Sequence, residues 1–242
     1  VLETLKMAGL DGDPVGYGTE CVRLRRSSSP AAALVALPEA VIQDPASHLV
    51  TWYANISPGM EVADLCAAPG GKALTIATGV RSTLAADCSE SRMRMVQENA
   101  KRTGVKVNCV VADAHNPPIK STDVILLDVP CTGTGTLARH PDIRWRLSPD
   151  SVSKITRVQD RLLDSAAPLV RVGGLLIYST CTLEPEENHS LVEGFLLRNP
   201  GFELEPSDTV DGEFLDESGY LCVHPDKDGR DGSFAARLRR MH

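Results

Sequence analysis

Residues 61–72 read Glu61-Val-Ala-Asp64-Leu-Cys-Ala-Ala-Pro-Gly-Gly-Lys72, a short apolar run that ends in a carboxylate and opens into a glycine turn. The run Glu61–Leu65 predicts a strand, and Lys72–Thr78 predicts the helix that follows. Two glycines between strand and helix let backbone amides approach a ligand closely at a helix N-terminus. That sequence of elements belongs to a doubly wound α/β sheet. The spacing is neither G-x-G-x-x-G nor G-x-x-x-x-G-K-[ST], which disfavours a nicotinamide-dependent dehydrogenase and a P-loop enzyme.

The pattern repeats along the chain. Thr83–Asp87, Val107–Ala112, Val124–Asp128 and Leu175–Ser179 predict further strands, most of them apolar throughout, as in a parallel sheet covered on both faces. Helices are expected at Glu90–Thr103, closed by Gly104, within Pro149–Val170 with Asp150 or Ser151 as cap, and at Glu186–Arg198. Phe202–Glu205, Gly219–His224 and Ser233–Arg239 predict antiparallel strands finishing the sheet, with the turn Asp226–Gly232 between the last two. The fold expected is α/β and Rossmann-like, a mostly parallel seven-stranded sheet with helices on both faces. Residues 1–37, with a helix at Leu2–Ala8 and a strand around Cys21–Leu24, are too short to hold a core and are expected to pack on the main domain, 38–242. The patch Ser27–Ala33 reads as a flexible loop.

Two carboxylates stand at successive strand ends beside the glycine turn. Asp87 is placed to accept hydrogen bonds from ribose hydroxyls. Asp113, at the next strand end, is placed to meet an adenine amino group. With the turn, they point to an S-adenosylmethionine site.

The chemistry lies at the next two strand ends. Asp128-Val-Pro-Cys131 closes the fourth strand and Ser179-Thr-Cys181-Thr the fifth, so both reach the same ligand crevice. Carbon 5 of cytosine is a poor nucleophile, and its methylation requires a nucleophile to add first at carbon 6. A thiolate suits that step. A base must then take the proton from carbon 5 as the thiol leaves. Two cysteines and Asp128 cover this scheme, one thiol adding and one assisting release while the carboxyl group holds the base. The plainer alternative is that both cysteines pack as small apolar residues. Amine methyltransferases resemble one another in an Asn/Asp-Pro-Pro-Tyr turn at this strand, where Val129 and Cys131 stand here. DNA cytosine-5 methyltransferases carry the Pro-Cys but lack the second cysteine, so the pair points to RNA.

Composition leaves the partner open. The 242 residues carry a net charge of −7, which argues against indiscriminate nucleic-acid binding while allowing a local basic face. Basic residues gather at Arg139, Arg144, Arg146, Lys154 and Arg157, at Arg23, Arg25 and Arg26, and at Arg237, Arg239 and Arg240. The seven cysteines are odd in number and form no C-x-x-C pair, so neither a disulfide framework nor a structural zinc is expected, and no metal. Cys66, Cys88 and Cys109 are expected to be small buried hydrophobes. No apolar stretch approaches the roughly 20 residues of a membrane span, and Val1–Lys6 lacks the layout of a secretory signal. A cytoplasmic monomer is expected.

Together, Asp64–Lys72, Leu127-Asp-Val-Pro-Cys131, Arg139-His-Pro-Asp-Ile-Arg-Trp145, Tyr178-Ser-Thr-Cys181 and Pro185-Glu-Glu-Asn188 resemble the NOL/NOP/Sun family of RNA cytosine-5 methyltransferases, and most of all its bacterial ribosomal-RNA members. Gln43-Asp-Pro-Ala-Ser47 resembles that family's entry into the catalytic domain. The likeness covers about residues 40–200 strongly. It implies a class I S-adenosylmethionine-dependent enzyme making 5-methylcytosine in RNA, most readily ribosomal, with transfer RNA and a non-catalytic RNA-binding module as alternatives. It implies that Cys66, Ala67, Ala68, Pro69, Gly70, Gly71 and Lys72 contact the cofactor, that Asp87 meets the ribose and Asp113 the adenine, and that Asp128 lies near both cofactor and base. Cys181 becomes the nucleophile, Cys131 the residue that releases product, and Arg139, His140 and Arg144 border the RNA path. Residues 1–37 resemble the second half of the family's longer RNA-binding segment, so the chain is expected to be an excised fragment or a short member. Ser233 stands where the family usually has an aromatic residue.

Overall fold

Val62, Val124, Leu126, Leu175 and Ile177 bury on one face of a sheet, and Ala63, Leu65, Ile125, Leu127, Leu176 and Tyr178 bury on the other. This alternation is the period of two expected of strands apolar on both faces. The computed structural model describes residues 1–15, 21–25, 27–225 and 229–242. Along the chain run α1 (Leu2–Met7), β1 (Gly12–Pro14), β2 (Val22–Leu24), α2 (Pro30–Ala36), α3 (Pro45–Ala54), β3 (Glu61–Asp64), α4 (Gly71–Ala77), β4 (Ser82–Asp87) and α5 (Glu90–Thr103). There follow β5 (Asn108–Val111), β6 (Thr122–Asp128), α6 (Ile143–Arg146), α7 (Pro149–Ala166), β7 (Val170–Thr180), α8 (His189–Arg198), β8 (Phe202–Leu204), β9 (Leu221–Val223) and β10 (Ser233–Arg240).

The sheet order is β5-β4-β3-β6-β7-β10-β8, with β9 also paired to β10. The strands from β5 to β7 are parallel and β10 runs antiparallel to β7, β8 and β9. The seven expected positions are therefore present, and two short strands divide the last, making eight. On one face α7 and α8 supply Leu162, Leu163, Val192 and Phe195. On the other, α3, α4 and α5 supply Tyr53, Ile76, Met93 and Val96.

The structure corrects the local reading at several places. Ser27–Ala33 is not a loop throughout: Ser29 caps α2 by accepting from the Ala32 amide, and Pro30 takes the first helical position, where its missing N–H costs nothing. Asp44-Pro45 does the same for α3, a helix the sequence reading missed. The cap of α7 is Ser148, with Ser151 at the third position returning the hydrogen bond. Cys88 is exposed, whereas Cys66 and Cys109 are half-buried.

The N-terminal segment pairs β1 with β2 and holds a small apolar cluster of its own, Leu5, Leu10, Ala33 and Leu37. The expectation that it lacks any core is corrected to that extent. Arg26 and residues 226–228 of the expected turn lie outside the described residues. Among the described residues no helix is long and apolar enough to cross a membrane.

Candidate active site

Three parallel strands deliver the site. β3 ends at Asp64, β6 at Asp128 and β7 at Thr180, so their C-terminal ends share the edge where the strand order reverses between β3 and β6. A cavity of about 740 Å³ opens there, lined among others by Asp64, Lys72, Asp128, Arg139 and Cys181. That volume is within the range of small-molecule sites.

Asp64 is the cavity group most in need of a partner. Its Oδ1 accepts from the Cys66 amide at 3.3 Å, while Oδ2 is buried with no hydrogen-bond partner. Burial, with the Asp128 charge adding to it, pushes the carboxyl group up to about 8. A carboxylate in that position is costly until a cation or donor reaches it. Asp128 is satisfied instead: Lys72 Nζ donates to its Oδ2 at 2.7 Å and Ser179 Oγ to its Oδ1 at 2.8 Å.

The thiols of Cys131 and Cys181 meet at 2.9 Å, and the Cys181 amide donates to Cys131 Sγ at 3.3 Å. Both cysteines are free and half-buried. The hydrogen bond with Cys131 holds the Cys181 thiol below its ordinary range, with the Lys72 charge acting in the same direction. The same bond, with burial, pushes Cys131 well up. Cys181 is thus the more acidic member of the pair, and it lines the cavity.

Behind the thiols lies a polar cluster that the sequence reading missed. Glu187 has no exposed surface. Its Oε2 accepts from the Thr132 amide at 3.0 Å and from Gln159 Nε2 at 2.8 Å, and its Oε1 accepts from Thr182 Oγ1 at 3.2 Å and from Thr132 Oγ1. One carboxylate therefore ties the residue after Cys131 to the residue after Cys181. Gly135 closes the same corner: a Cβ there would lie 2.8 Å from both the Cys181 and the Gly232 carbonyl oxygens. Glu187 belongs to the Pro185–Asn188 motif, but its spacing to Thr132 and Gln159 gives no hint of contact.

The other expected residues divide. Ala67, Ala68, Pro69, Gly71 and Lys72 line the cavity. Cys66 and Gly70 belong to the same turn without lining it, and Gly70 precedes α4 with φ 107°, a backbone conformation suited to glycine. Asp87 is buried and braces the turn, its Oδ2 accepting from the Ala68 amide at 3.3 Å with Arg92 at 3.5 Å. Asp113 is not brought into the cavity: its side chain is 65% exposed and accepts from the His115 amide. Arg139 and His140 line the cavity, and Arg139 is ion-paired to the buried Asp231. Arg144 is exposed outside it. Gln43, Asp44, Ser47 and Asp231, none of them singled out from the sequence as ligand contacts, also line the cavity.

Residues 53–239 match the family model described as 16S rRNA methyltransferase RsmB/F. The chain is 37% identical over 201 residues to the ribosomal RNA small subunit methyltransferase B of Thermus thermophilus, covering 83% of this chain and 50% of that protein. It is 34% identical over 245 residues to the protein of the same name from Salmonella arizonae, covering 98% and 56%. The chain thus spans about half the length of these relatives. Among solved structures, PH0851 superposes with a TM-score of 0.88 at 31% identity, over 98% of this chain and 56% of that one. NSun6 from Pyrococcus horikoshii, solved with SFG, superposes with a TM-score of 0.77 at 30% identity, over 93% and 60%. The fold is that of the class I S-adenosylmethionine-dependent methyltransferases, and by these matches the chain belongs to the RsmB/F family of 16S rRNA methyltransferases.

Proposed function

We propose that this chain methylates carbon 5 of a cytosine in RNA, with Cys181 as the covalent nucleophile. The observation that carries the reading is the contact of two free thiols, unequal in acidity, at the ends of adjacent parallel strands beside the cavity. The residues present fit S-adenosylmethionine: Asp64 Oδ2, buried, unpartnered and on the cavity wall, suits a cationic group of the ligand. Asp64, Lys72 and the backbone of 67–71 are the groups to hold it. When bound, that cofactor supplies the methyl group as an electrophile.

The protein's own residues account for the rest. The Cys181 thiolate adds to carbon 6 of the cytosine, and the electron pair of the 5,6 double bond moves to carbon 5, which takes the methyl group. Elimination then requires that the carbon 5 proton pass to a base, here solvent water, and the Cys181–carbon 6 bond break, restoring the double bond and the thiolate. Cys131, whose thiol is pushed well up and in contact with Cys181, is positioned to donate a hydrogen bond to the departing Cys181 thiolate. Asp128, fixed by Lys72 and Ser179, is placed to hold the base. The target cytosine must be unpaired or turned out of its helix, because carbon 6 is shielded within a stack.

Names of relatives that act on small-subunit ribosomal RNA support that RNA as substrate. Arg139 and His140 at the cavity mouth are the side chains proposed to border it, and residues 1–37 are proposed as part of an RNA-binding segment preceding a catalytic domain at 38–242. Incubation with labelled S-adenosylmethionine and ribosomal or transfer RNA, followed by nucleoside analysis, tests the reading. Label in 5-methylcytidine, abolished by Cys181→Ala with cofactor binding retained, is expected. Label in another nucleoside, or none under conditions where the cofactor binds, contradicts it.

A further inference from the structure

His189, Asp216 and Cys222 come from three separate elements, the first turn of α8, the loop before β9 and β9 itself, and converge on one point. We infer that they form a binding site for one divalent transition-metal ion of borderline softness, zinc foremost, away from the catalytic cavity. His189 Nε2 lies 2.7 Å from Asp216 Oδ2, and Cys222 Sγ lies 3.8 Å from each. With bonds of about 2.3 Å to sulfur and about 2.0 Å to nitrogen and oxygen, one ion spans this triangle at angles of about 85° between N and O and about 120° to sulfur. A small rotation of the imidazole opens the narrow angle towards tetrahedral. The ligand set, one imidazole, one carboxylate and one thiolate, is suited to zinc and unsuited to magnesium or calcium.

The three groups are held in place before any ion arrives. Asp216 Oδ1 accepts from the Ser218 and Tyr220 amides, each at 3.0 Å, which leaves Oδ2 to face His189 and Cys222. The His189 ring stands edge-on to Tyr220 and Phe234, with centroids 5.1 and 4.9 Å away. Ligands fixed by such outer contacts lose little freedom on binding. The site is also accessible, since the His189 and Asp216 side chains are 38% and 26% exposed, leaving a fourth position to water. None of the three residues lines the cavity, so this site is independent of the proposed methylation chemistry. The absence of C-x-x-C from the sequence does not bear on it, because the ligands lie far apart in the chain. On binding, the Cys222 S–H proton passes to solvent as the metal–sulfur bond forms.

Cobalt(II) titration of the metal-stripped chain tests the inference, with zinc as competitor. The wild type and the Cys131→Ser/Cys181→Ser double variant, which removes the other close thiol pair, are expected to show one equivalent of cobalt with thiolate-to-metal charge-transfer absorption, displaced by zinc. Cys222→Ser should lose that absorption. Zinc should raise the melting temperature of the first two proteins and leave that of Cys222→Ser unmoved. Asp216→Asn, the second variant should Cys222→Ser not fold, should weaken cobalt binding by about tenfold or more, since even outer partners of a metal cost 10–100-fold. No absorption in the wild type, its survival in Cys222→Ser, its loss in the double variant, or unweakened binding by Asp216→Asn would each overturn the assignment.

Discussion

Cys131 Sγ and Cys181 Sγ lie 2.9 Å apart, and the contact splits them in acidity, Cys181 below its ordinary range and Cys131 well above it. Two thiols of the same ordinary acidity are thereby separated into a proton holder and a candidate thiolate. Parallel pairing of β6 with β7 brings this about, since both strands end at the same edge.

Alkylation should follow that asymmetry. At neutral pH iodoacetamide is expected to modify Cys181 before Cys131, because the thiolate is the reacting form. Cys131→Ala removes the hydrogen bond that lowers Cys181, so Cys181 should react more slowly in that variant, while Cys131→Ser should restore part of the rate. Peptide mass spectrometry over a time course reads both sites. Faster labelling of Cys131 would show the order of acidity to be reversed.

Glu187 should act on the same pair without touching it. Glu187→Gln places an amide among groups that all donate, namely the Thr132 amide, Gln159 Nε2 and the two threonine hydroxyls. A loss of about 1–3 kcal/mol in denaturant-derived stability is expected from buried groups left unpaired. Methylation should fall while cofactor affinity holds, because the carboxylate braces the two cysteine turns and does not line the cavity. Unchanged stability and turnover would remove Glu187 from the account.

Asp64 makes a prediction with a definite sign. Its folded pKa near 8 stands above that of the unfolded chain, so between about pH 4 and 8 the folded state holds a proton that the unfolded state has released. In the ligand-free protein this group makes stability fall as pH rises through that window, by at most about 1.4 kcal/mol per unit. Asp64→Asn should show a flatter profile by chemical denaturation, the difference between the two growing with pH and levelling above 8. Parallel profiles would mean that the carboxyl group is not raised.

The sheet was legible because its strands are continuous apolar runs punctuated by glycine, and the strand-end motifs followed from it. Ser27–Ala33 misled, and the helix start at Asp44-Pro45 passed unread, because serine, aspartate and proline mark loops and helix starts alike; only the capping geometry separates them. Asp113 stands at a strand end as expected, yet β5 is the edge strand, and its carboxylate turns to His115. The cluster around Glu187 was hidden because it joins residues 28 and 55 positions apart in the chain, which no local pattern records.

The division of labour between the two thiols is tested most directly by trapping. Cys131→Ala, incubated with S-adenosylmethionine and substrate RNA and run on a denaturing gel, should yield a covalent protein–RNA band that Cys181→Ala lacks. A band in Cys181→Ala, with none in Cys131→Ala, would contradict the assignment of Cys181 as the nucleophile.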